Sequence, residues 1–370
     1  MPTPKIKDVT AYLESLAPVA YQESYDNSGL LTGDPQSDVQ GIVVTLDCTE
    51  AVVAEAIALK CNLIVAHHPI LFKGIKKLTG QTYVERTVIA AIRNSIAIYA
   101  VHTNLDNVHP GVNTKIADKI GLKNVHVLVS RKRTLSKLVT FVPTEHLQLV
   151  LDALYEAGAG QVGKYKNCSF QTAGTGAFEP TEGANPFIGK PGQREIVEES
   201  RIEVILPSHQ QQEVIAALRK SHPYEEVAYY LTQLENINPE VGAGLIGELE
   251  SPAEPIHFLQ RLKKQMNIPV GCSVRHTPLL DRPIRKVALC GGAGSFMLPE
   301  ALAQGADVYI SADFKYHEFF DAEGKIMIAD IGHYESEQFT KELFMEVLSK
   351  KFSTFAINFS KTVTNPISYL

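Results

Sequence analysis

The stretch Leu63-Ile64-Val65-Ala66-His67-His68 joins a short apolar run to two adjacent histidines. An apolar run of this length predicts a buried strand, and the histidines lie where that strand ends. Successive side chains of a strand point to opposite faces, but the alternation relaxes at the strand end, so both imidazoles can reach one cluster. Because ligands gather beyond the carboxyl ends of strands in open α/β sheets, the stretch predicts an α/β fold with a metal site at the sheet edge.

Three further apolar runs end in side chains that can bind metal ions. The runs at residues 96–101, 307–312 and 326–331 lead to His102 and Asp106, to Asp313 and His317, and to His333 and Glu337, respectively. Four strands that deliver imidazole and carboxylate groups to the same edge of a sheet describe a metal site.

The candidate metal ligands are three histidines and two carboxylates, namely His67, His68, Asp106, His333 and Glu337. Imidazole together with carboxylate suits Zn, Fe, Mn, Co or Ni, whereas Ca and Mg prefer shells of oxygen atoms. This set exceeds the needs of one open zinc site, but two divalent ions that share a bridging carboxylate would use all of it. Such ions lie about 3.5–4 Å apart and can activate a water or hydroxide nucleophile.

Helix geometry favours Glu337 over Glu335 as a ligand. His333 opens the predicted helix, and Glu337, four residues later, lies on the same face. Glu335 points about 200° away by the helical period. We therefore expect Glu335 to be a solvated acid in the first turn, where the helix dipole favours negative charge.

Three neighbouring residues have more than one interpretation. His102 and His317 are candidate catalytic residues, either as groups that orient the ligands or as proton shuttles, and a hydrogen-bonded core histidine is the alternative for each. Asp313, at a strand end, is a candidate third carboxylate ligand.

The chain alternates strand and helix in two separate regions. Residues 41–129 have the pattern of repeated βα units. The same pattern recurs from residue 286 and ends in a strand at residues 354–359. Repeated βα units of this length predict mainly parallel sheets that are covered by helices.

Between these regions, two strand-Pro-helix units predict the halves of a split βαβ, ferredoxin-like α+β domain. We therefore predict a discontinuous α/β host domain made of residues 1–133 and 239–370, with an inserted domain at residues 134–238.

Composition excludes several classes of protein. A chain of 370 residues that is 45% hydrophobic is globular, and its net charge of −6 gives no electrostatic case for a nucleic-acid partner. Five cysteines without a CxxC pair fit reduced thiols in the cytosol. The chain has no signal-peptide core and no run near the ~20 apolar residues that span a bilayer. We expect a cytoplasmic protein without a membrane partner.

Several short motifs together carry a resemblance to a known family. They are residues 25–30 (Tyr-Asp-Asn-Ser-Gly-Leu), His67-His68-Pro69, residues 102–106 with 111–113, Lys315-Tyr316-His317, and Gly332-His333-Tyr334 with Glu337. In combination they resemble the NGG-interacting-factor-three-like family, whose bacterial members are often labelled GTP cyclohydrolase I type 2 homologues. The resemblance covers essentially the whole chain. The insertion resembles the PII or CutA-type module of the long bacterial members through residues 167–170 and 222–226.

The resemblance implies that the five candidate ligands bind two metal ions, with Asp106 as the bridge. It also implies a toroidal homohexamer whose metal sites face an internal cavity. The chain departs from the family pattern at two places. Tyr25 stands where the family commonly has Trp, and Ser311-Ala312-Asp313 replaces the commoner Thr-Gly-acid, which leaves the role of Asp313 open.

Two functions compete on this sequence. The leading hypothesis is a metal-dependent hydrolase that acts on a small nucleotide-like or phosphorylated substrate, and its sharpest version is a GTP cyclohydrolase-type ring opening. The alternative is a non-enzymatic metal-binding regulatory or scaffold protein whose inserted domain senses a small ligand. Fold and site do not dictate the substrate, and no substrate-binding signature such as an Arg clamp separates the two hypotheses.

Overall fold

The computed structural model describes residues 3–269, 271 and 273–368. The chain separates into two compact units, residues 1–129 with 240–370 and residues 130–239. Four cysteines are free thiols, and Cys272 lies outside the described residues. Within the described part of the chain, no helix is both long and apolar enough to cross a membrane.

The first segment contains five strands and five α-helices. In chain order they are α1 (Ile6–Leu16), β1 (Gly29–Thr32), β2 (Gly41–Asp47), α2 (Glu50–Ala58), β3 (Leu63–His68), α3 (Tyr83–Arg93), β4 (Ala97–Ala100), α4 (Thr103–Asp106), α5 (Val112–Ile120) and β5 (Lys123–Ser130).

The middle segment has the order strand, helix, two strands, helix, strand. Its elements are β6 (Leu135–Pro143), α6 (Leu147–Glu156), β7 (Phe170–Phe178), β8 (Glu195–Pro207), α7 (Gln211–Ser221) and β9 (Tyr229–Gln233).

The last segment returns to the larger unit. Its elements are β10 (Gly242–Ala253), α8 (Pro255–Gln265), β11 (Arg275–His276), β12 (Ile284–Ala293), α9 (Leu298–Ala303), β13 (Val308–Ala312), β14 (Met327–Asp330), α10 (His333–Glu337), α11 (Thr340–Lys351) and β15 (Ala356–Phe359).

The first sheet of the larger unit has the strand order β1-β4-β3-β2-β15. Strands β15, β2, β3 and β4 are parallel, and β1 is antiparallel to β4. The sheet is therefore mainly parallel, as predicted. Its edge strand β15, which the sequence pattern groups with the later βα region, pairs with β2 through Ala356 and Gly41.

The second sheet has the strand order β11-β14-β13-β12-β10-β5. Strands β12, β13 and β14 are parallel, whereas β10 and β11 pair antiparallel with β12 and β14. This sheet is mixed rather than mainly parallel. Each sheet of the larger unit thus contains a strand from the other segment of the chain, because β15 joins the first sheet and β5 the second.

Both faces of the first sheet are buried, which explains why its strands are continuous apolar runs. Val44 and Leu63 face a core that includes residues of α1 and α11, and their neighbours Val43 and Ile64 face a core that includes residues of α2 and α3. At the start of α2, Thr49 accepts a hydrogen bond from the backbone N–H of Val52 and caps the helix.

The unit of residues 130–239 has a four-stranded sheet in the order β7-β8-β6-β9. The β6–β8, β6–β9 and β7–β8 pairs are all antiparallel. Leu138 and Ile202 of the sheet pack against Leu154 of α6 and Leu218 of α7 in a separate hydrophobic core.

Candidate metal centre

The candidate site lies where strands of both sheets of the larger unit end. His67 and His68 are the last residues of β3, and the parallel pairing places Asp47, the last residue of β2, beside His68. His102 precedes α4, and Asp106 is its last residue. His333 and Glu337 begin and end α10, directly after β14. The predicted ligands that are far apart in sequence thus converge, and all of them belong to groups that could hold a metal ion.

Two glycines allow the backbone to pass close to the side chains of His333 and Glu337. Gly332 precedes His333 with φ of 90°, a left-handed conformation that favours glycine. Gly292 has φ of 63°, and a Cβ atom at Gly292 would lie 2.3 Å from Oε1 of Glu337. Gly291 and Gly292, near the end of β12, therefore allow close packing against α10.

One group of possible ligands consists of His68, His333 and Glu337. Nε2 of His68 lies 2.9 Å from Oε2 of Glu337, and Nε2 of His333 lies 3.1 Å from the same oxygen. The two imidazole nitrogens are 3.4 Å apart. Three ligand atoms thus face a common point with hydrogen bonds between them.

A second group consists of His67, Asp106 and Glu337. Nε2 of His67 lies 3.7 Å from Oδ1 of Asp106 and 3.8 Å from Oε1 of Glu337. Nε2 of His67 and Oδ1 of Asp106 are buried without a hydrogen-bond partner among the described residues. Because buried polar atoms are nearly always satisfied, this pair of orphaned atoms fits a site for a divalent cation.

Glu337 is the residue that the two groups share. It is 3% exposed, and its two carboxylate oxygens face different groups. Glu337 therefore lies between the two groups, and the bridging role that the family resemblance gives to Asp106 stays a prediction.

A third group consists of His67, His68 and His102. The ring centroid of His102 lies 5.3 Å from that of His67 and 5.4 Å from that of His68. Nδ1 of His102 lies 2.7 Å from Oδ1 of Asp26. His102 is thus a member of the cluster, and the carboxylate of Asp26 orients its ring.

Each histidine of the cluster has an acceptor for its Nδ1 atom. The distances are 2.7 Å from His68 to Asp47, 2.7 Å from His102 to Asp26, 2.7 Å from His333 to Asp313, and 2.8 Å from His67 to the Val101 carbonyl. A carboxylate or carbonyl that accepts from Nδ1 fixes the imidazole so that Nε2 can bind a metal ion. Asp313, a candidate ligand by sequence, contacts the cluster through His333.

Sequence reasoning missed Asp47 and Asp26. Asp47 ends an apolar strand, which is the same signal that identified the histidines. Asp26 lies within the quoted motif at residues 25–30, but no pattern in the sequence links it to His102.

Burial and charge shape the electrostatics of the cluster. Burial lowers the pKa of His68 and of His333, but Glu337 and the hydrogen-bonded aspartates outweigh burial and raise these pKa values to about 10 and about 11. Burial raises the pKa of Glu337, but the same two histidines hold it well below its usual range. Burial and then the charge of Glu337 raise the pKa of Asp106 to about 7. Burial and Glu337 therefore outweigh His102 and His68, which lower the pKa of Asp106.

Two other residues are not members of the groups that could hold a metal ion. His317 is exposed on a short 3-10 helix and contacts the rings of Tyr316 and Phe320. Glu335 is not a solvated acid as expected, because it is 3% exposed and accepts a hydrogen bond from Asn365 at 3.0 Å. The C-terminal segment covers that face of α10, which the helical period alone could not indicate.

The fold and the site define a mixed α/β protein with several sheets and a cluster of His and carboxylate side chains at the strand ends. The Duf34/NIF3 (NGG1p interacting factor 3) family matches residues 4–366, and the chain belongs to this family. The family resemblance drawn from the motifs is thereby confirmed.

Relatives from several bacteria match over nearly the whole chain. A protein of Halalkalibacterium halodurans named GTP cyclohydrolase 1 type 2 homolog is 40% identical over 369 residues, and a Bacillus subtilis protein of the same name is 36% identical over 370 residues. Both matches cover 98% of this chain and 98% of the relative. The crystal structure of a Bacillus cereus protein related to NIF3 has a TM-score of 0.87 at 36% identity and covers 100% of both chains.

Proposed function

We propose that the protein is a dinuclear divalent-metal hydrolase that acts on a small nucleotide-like or phosphorylated substrate, with a GTP cyclohydrolase-type ring opening as the sharpest version. The observation that carries this proposal is the pair of ligand groups that share Glu337, one of which contains two buried, unpartnered ligand atoms. The name of the relatives, GTP cyclohydrolase 1 type 2 homolog, supports the choice of substrate class.

In this proposal, His67, Asp106 and Glu337 would hold one ion, and His68, His333 and Glu337 would hold the other. Bound divalent ions supply Lewis-acid stabilisation and lower the pKa of water. Zn, Fe, Mn, Co and Ni all fit this mixture of imidazole and carboxylate.

The remaining residues of the cluster orient the ligands and handle protons. Asp47 and Asp313 accept from Nδ1 of His68 and His333, so Nε2 of each ring is directed at the cluster. Asp26 accepts from Nδ1 of His102, which leaves Nε2 of His102 available to receive or deliver a proton as a general acid–base.

Two exposed aromatic rings support a substrate with a planar ring. Phe72 is 44% exposed, and its ring centroid lies 6.1 Å from that of His102. Tyr25 is 61% exposed, and its centroid lies 6.2 Å from that of Phe72. Such rings offer a stacking surface beside the cluster for a nucleobase.

The test measures both metal content and turnover. We expect elemental analysis of protein purified without chelator to approach two divalent ions per chain, and Asp106→Ala to lose at least one. Hydrolysis of GTP or of phosphoesters should fall by orders of magnitude in His68→Ala and Glu337→Gln, while His126→Ala, which changes an exposed histidine outside the cluster, should match the wild type. Full metal retention in Asp106→Ala would refute the ligand assignment.

One observation favours the alternative function, a metal-binding regulatory protein with a ligand-sensing insertion. The unit of residues 130–239 contains a sizeable cavity of its own. Inactivity of the metal-loaded wild type across a broad substrate panel would favour this reading.

The proposal also covers the architecture and the assembly. The order of β6 to β9 and α6 to α7, with the antiparallel sheet order β7-β8-β6-β9, supports a ferredoxin-like inserted domain of the PII or CutA type.

Exposed Phe296, Tyr316 and Phe320 support a self-association surface of the kind that a homohexamer needs, because aromatic residues are enriched at interfaces. Light scattering of the purified chain tests the hexamer directly.

A further inference from the structure

A cavity of about 710 Å³ lies in the unit of residues 130–239, and none of its lining residues belongs to the metal centre. Strands β7 and β8 form one side of the cavity. Its aromatic wall is made by Phe178, Phe187 and Tyr224, with ring centroids 5.6 Å apart for Phe178 and Tyr224 and 6.4 Å apart for Phe187 and Tyr224. A cavity of this volume accommodates a small organic molecule.

A buried carboxylate faces this cavity. Glu199 of β8 is 8% exposed, and its side chain lies over Gly176 of β7, where a Cβ atom would come within 2.1 Å of Oε2 of Glu199. Arg201, the basic residue of the lining, is paired with Glu203 at 2.7 Å, and the ion pairs of the described residues do not include Glu199. Because a buried carboxylate is costly unless donors surround it, Glu199 is suited to accept hydrogen bonds from a ligand.

The phenol of Tyr224 is a second polar group that can form a further hydrogen bond. Its oxygen is buried and has no hydrogen-bond partner within the part of the chain that the structure describes. Burial and then the neighbouring Glu199 carboxylate raise the pKa of Tyr224. The two groups together form a polar corner of the cavity.

The charge of the lining restricts the class of ligand. Glu179, Glu199, Glu225 and Glu226 line the cavity, whereas Arg201 alone is basic. A phosphate or carboxylate group would be repelled by this lining. Groups that donate N–H bonds are favoured, because a carboxylate accepts two parallel N–H donors in bidentate geometry.

We propose that this cavity binds an uncharged or cationic planar nitrogen heterocycle whose edge presents two adjacent N–H donors, as a guanine ring does. The Glu199 carboxylate accepts from that edge, and the ring stacks on the flanking aromatic side chains. The proposal is independent of the function of the metal centre, since the two sites share no residue.

Isothermal titration of the full chain with nucleosides tests the proposal. Guanosine should bind with one site per chain, and inosine, which lacks the exocyclic amino group, should bind at least roughly tenfold more weakly, because one donor to a buried carboxylate is lost. Glu199→Gln should weaken guanosine binding by a similar factor and leave the metal content unchanged. Glu198→Gln, which neutralises an exposed carboxylate of the same strand that does not line the cavity, is the matched control and should bind nearly as the wild type does.

Gly176→Ala provides a second variant in case Glu199→Gln fails to fold. The added methyl group displaces the carboxylate without changing the charge, so guanosine binding should again fall. Absence of guanosine binding, equal binding of inosine, or unchanged binding in Glu199→Gln would overturn the proposal. A change of oligomeric mass in Glu199→Gln without nucleoside binding would show instead that the cavity receives a second copy of this chain.

Discussion

The substitution Gly292→Ala tests whether Glu337 must stand between the two ligand groups. A Cβ atom at Gly292 would lie 2.3 Å from Oε1 of Glu337. Since ordinary contacts need roughly 3.5 Å, the methyl group and the carboxylate have to separate by about 1 Å. The backbone at Gly292 is held in place, because its N–H donates to Ser336 at 2.9 Å and its carbonyl accepts from Ser311 at 3.0 Å. The carboxylate is therefore the group that moves.

A shift of about 1 Å exceeds the tolerance of roughly 0.2 Å for metal–ligand distances. We therefore expect Gly292→Ala to lose both ions in elemental analysis, because Glu337 belongs to both groups. The left-handed φ of 63° adds strain of roughly 1–2 kcal/mol for an alanine. At about 2–4 °C per kcal/mol, this strain lowers Tm by a few degrees.

Gly305→Ala separates the clash from the strain. Gly305 has φ of 68°, and a Cβ atom there meets nothing within 4 Å. The control should therefore lose the same few degrees of Tm and keep its metal. If Gly292→Ala retains as much metal as Gly305→Ala, the shared role of Glu337 is refuted.

Three further outcomes are expected. Asp47→Ala should weaken metal binding by roughly 10–100-fold in competition with a chelator, because His68 loses the acceptor that orients its ring. Replacement of residues 130–239 by a short Gly/Ser linker should leave a folded protein that binds metal, since every candidate ligand lies outside that unit; aggregation with loss of metal would contradict this. Burial raises the pKa of Glu55, but hydrogen bonds from residues 360–362 hold it below its usual value. This stabilisation is present above the unfolded pKa and is lost as the pH falls through the lowered value. The protection factors of the amides at residues 360–362, which compare their exchange with the intrinsic rate at the same pH, should therefore fall in acid and, for Glu55→Gln, already at neutral pH.

The members of the His and carboxylate cluster could be predicted because their signal is local. Each follows an apolar run, and a run of that kind identifies the strand and its end without knowledge of the partners. The i+4 relation of His333 and Glu337 is also local, and the structure places both side chains in one group.

The supporting residues could not be predicted for the opposite reason. Asp47 lies beside His68 only through the parallel register of β2 and β3, and Asp26 reaches His102 across 76 residues of sequence. The exchange of β5 and β15 between the two sheets is equally non-local, since an apolar strand pattern does not encode its neighbour in the sheet. Burial of Glu335 depends on the C-terminal segment in the same way.

The two ligand groups differ in what a metal ion has to displace, and this difference predicts an order of binding. In the group of His68 and His333, the ligand atoms already bond to Glu337 at 2.9 and 3.1 Å, so an ion must replace existing hydrogen bonds. In the group of His67 and Asp106, the corresponding atoms have no hydrogen-bond partner among the described residues, so an ion can bind there without breaking a hydrogen bond. Because an unsatisfied buried pair costs free energy that binding recovers, the first ion should enter at His67 and Asp106. Titration with one equivalent of metal should then fill a site that Asp106→Ala removes and His333→Ala retains, and the reverse pattern would show that the hydrogen-bonded group is the stronger one.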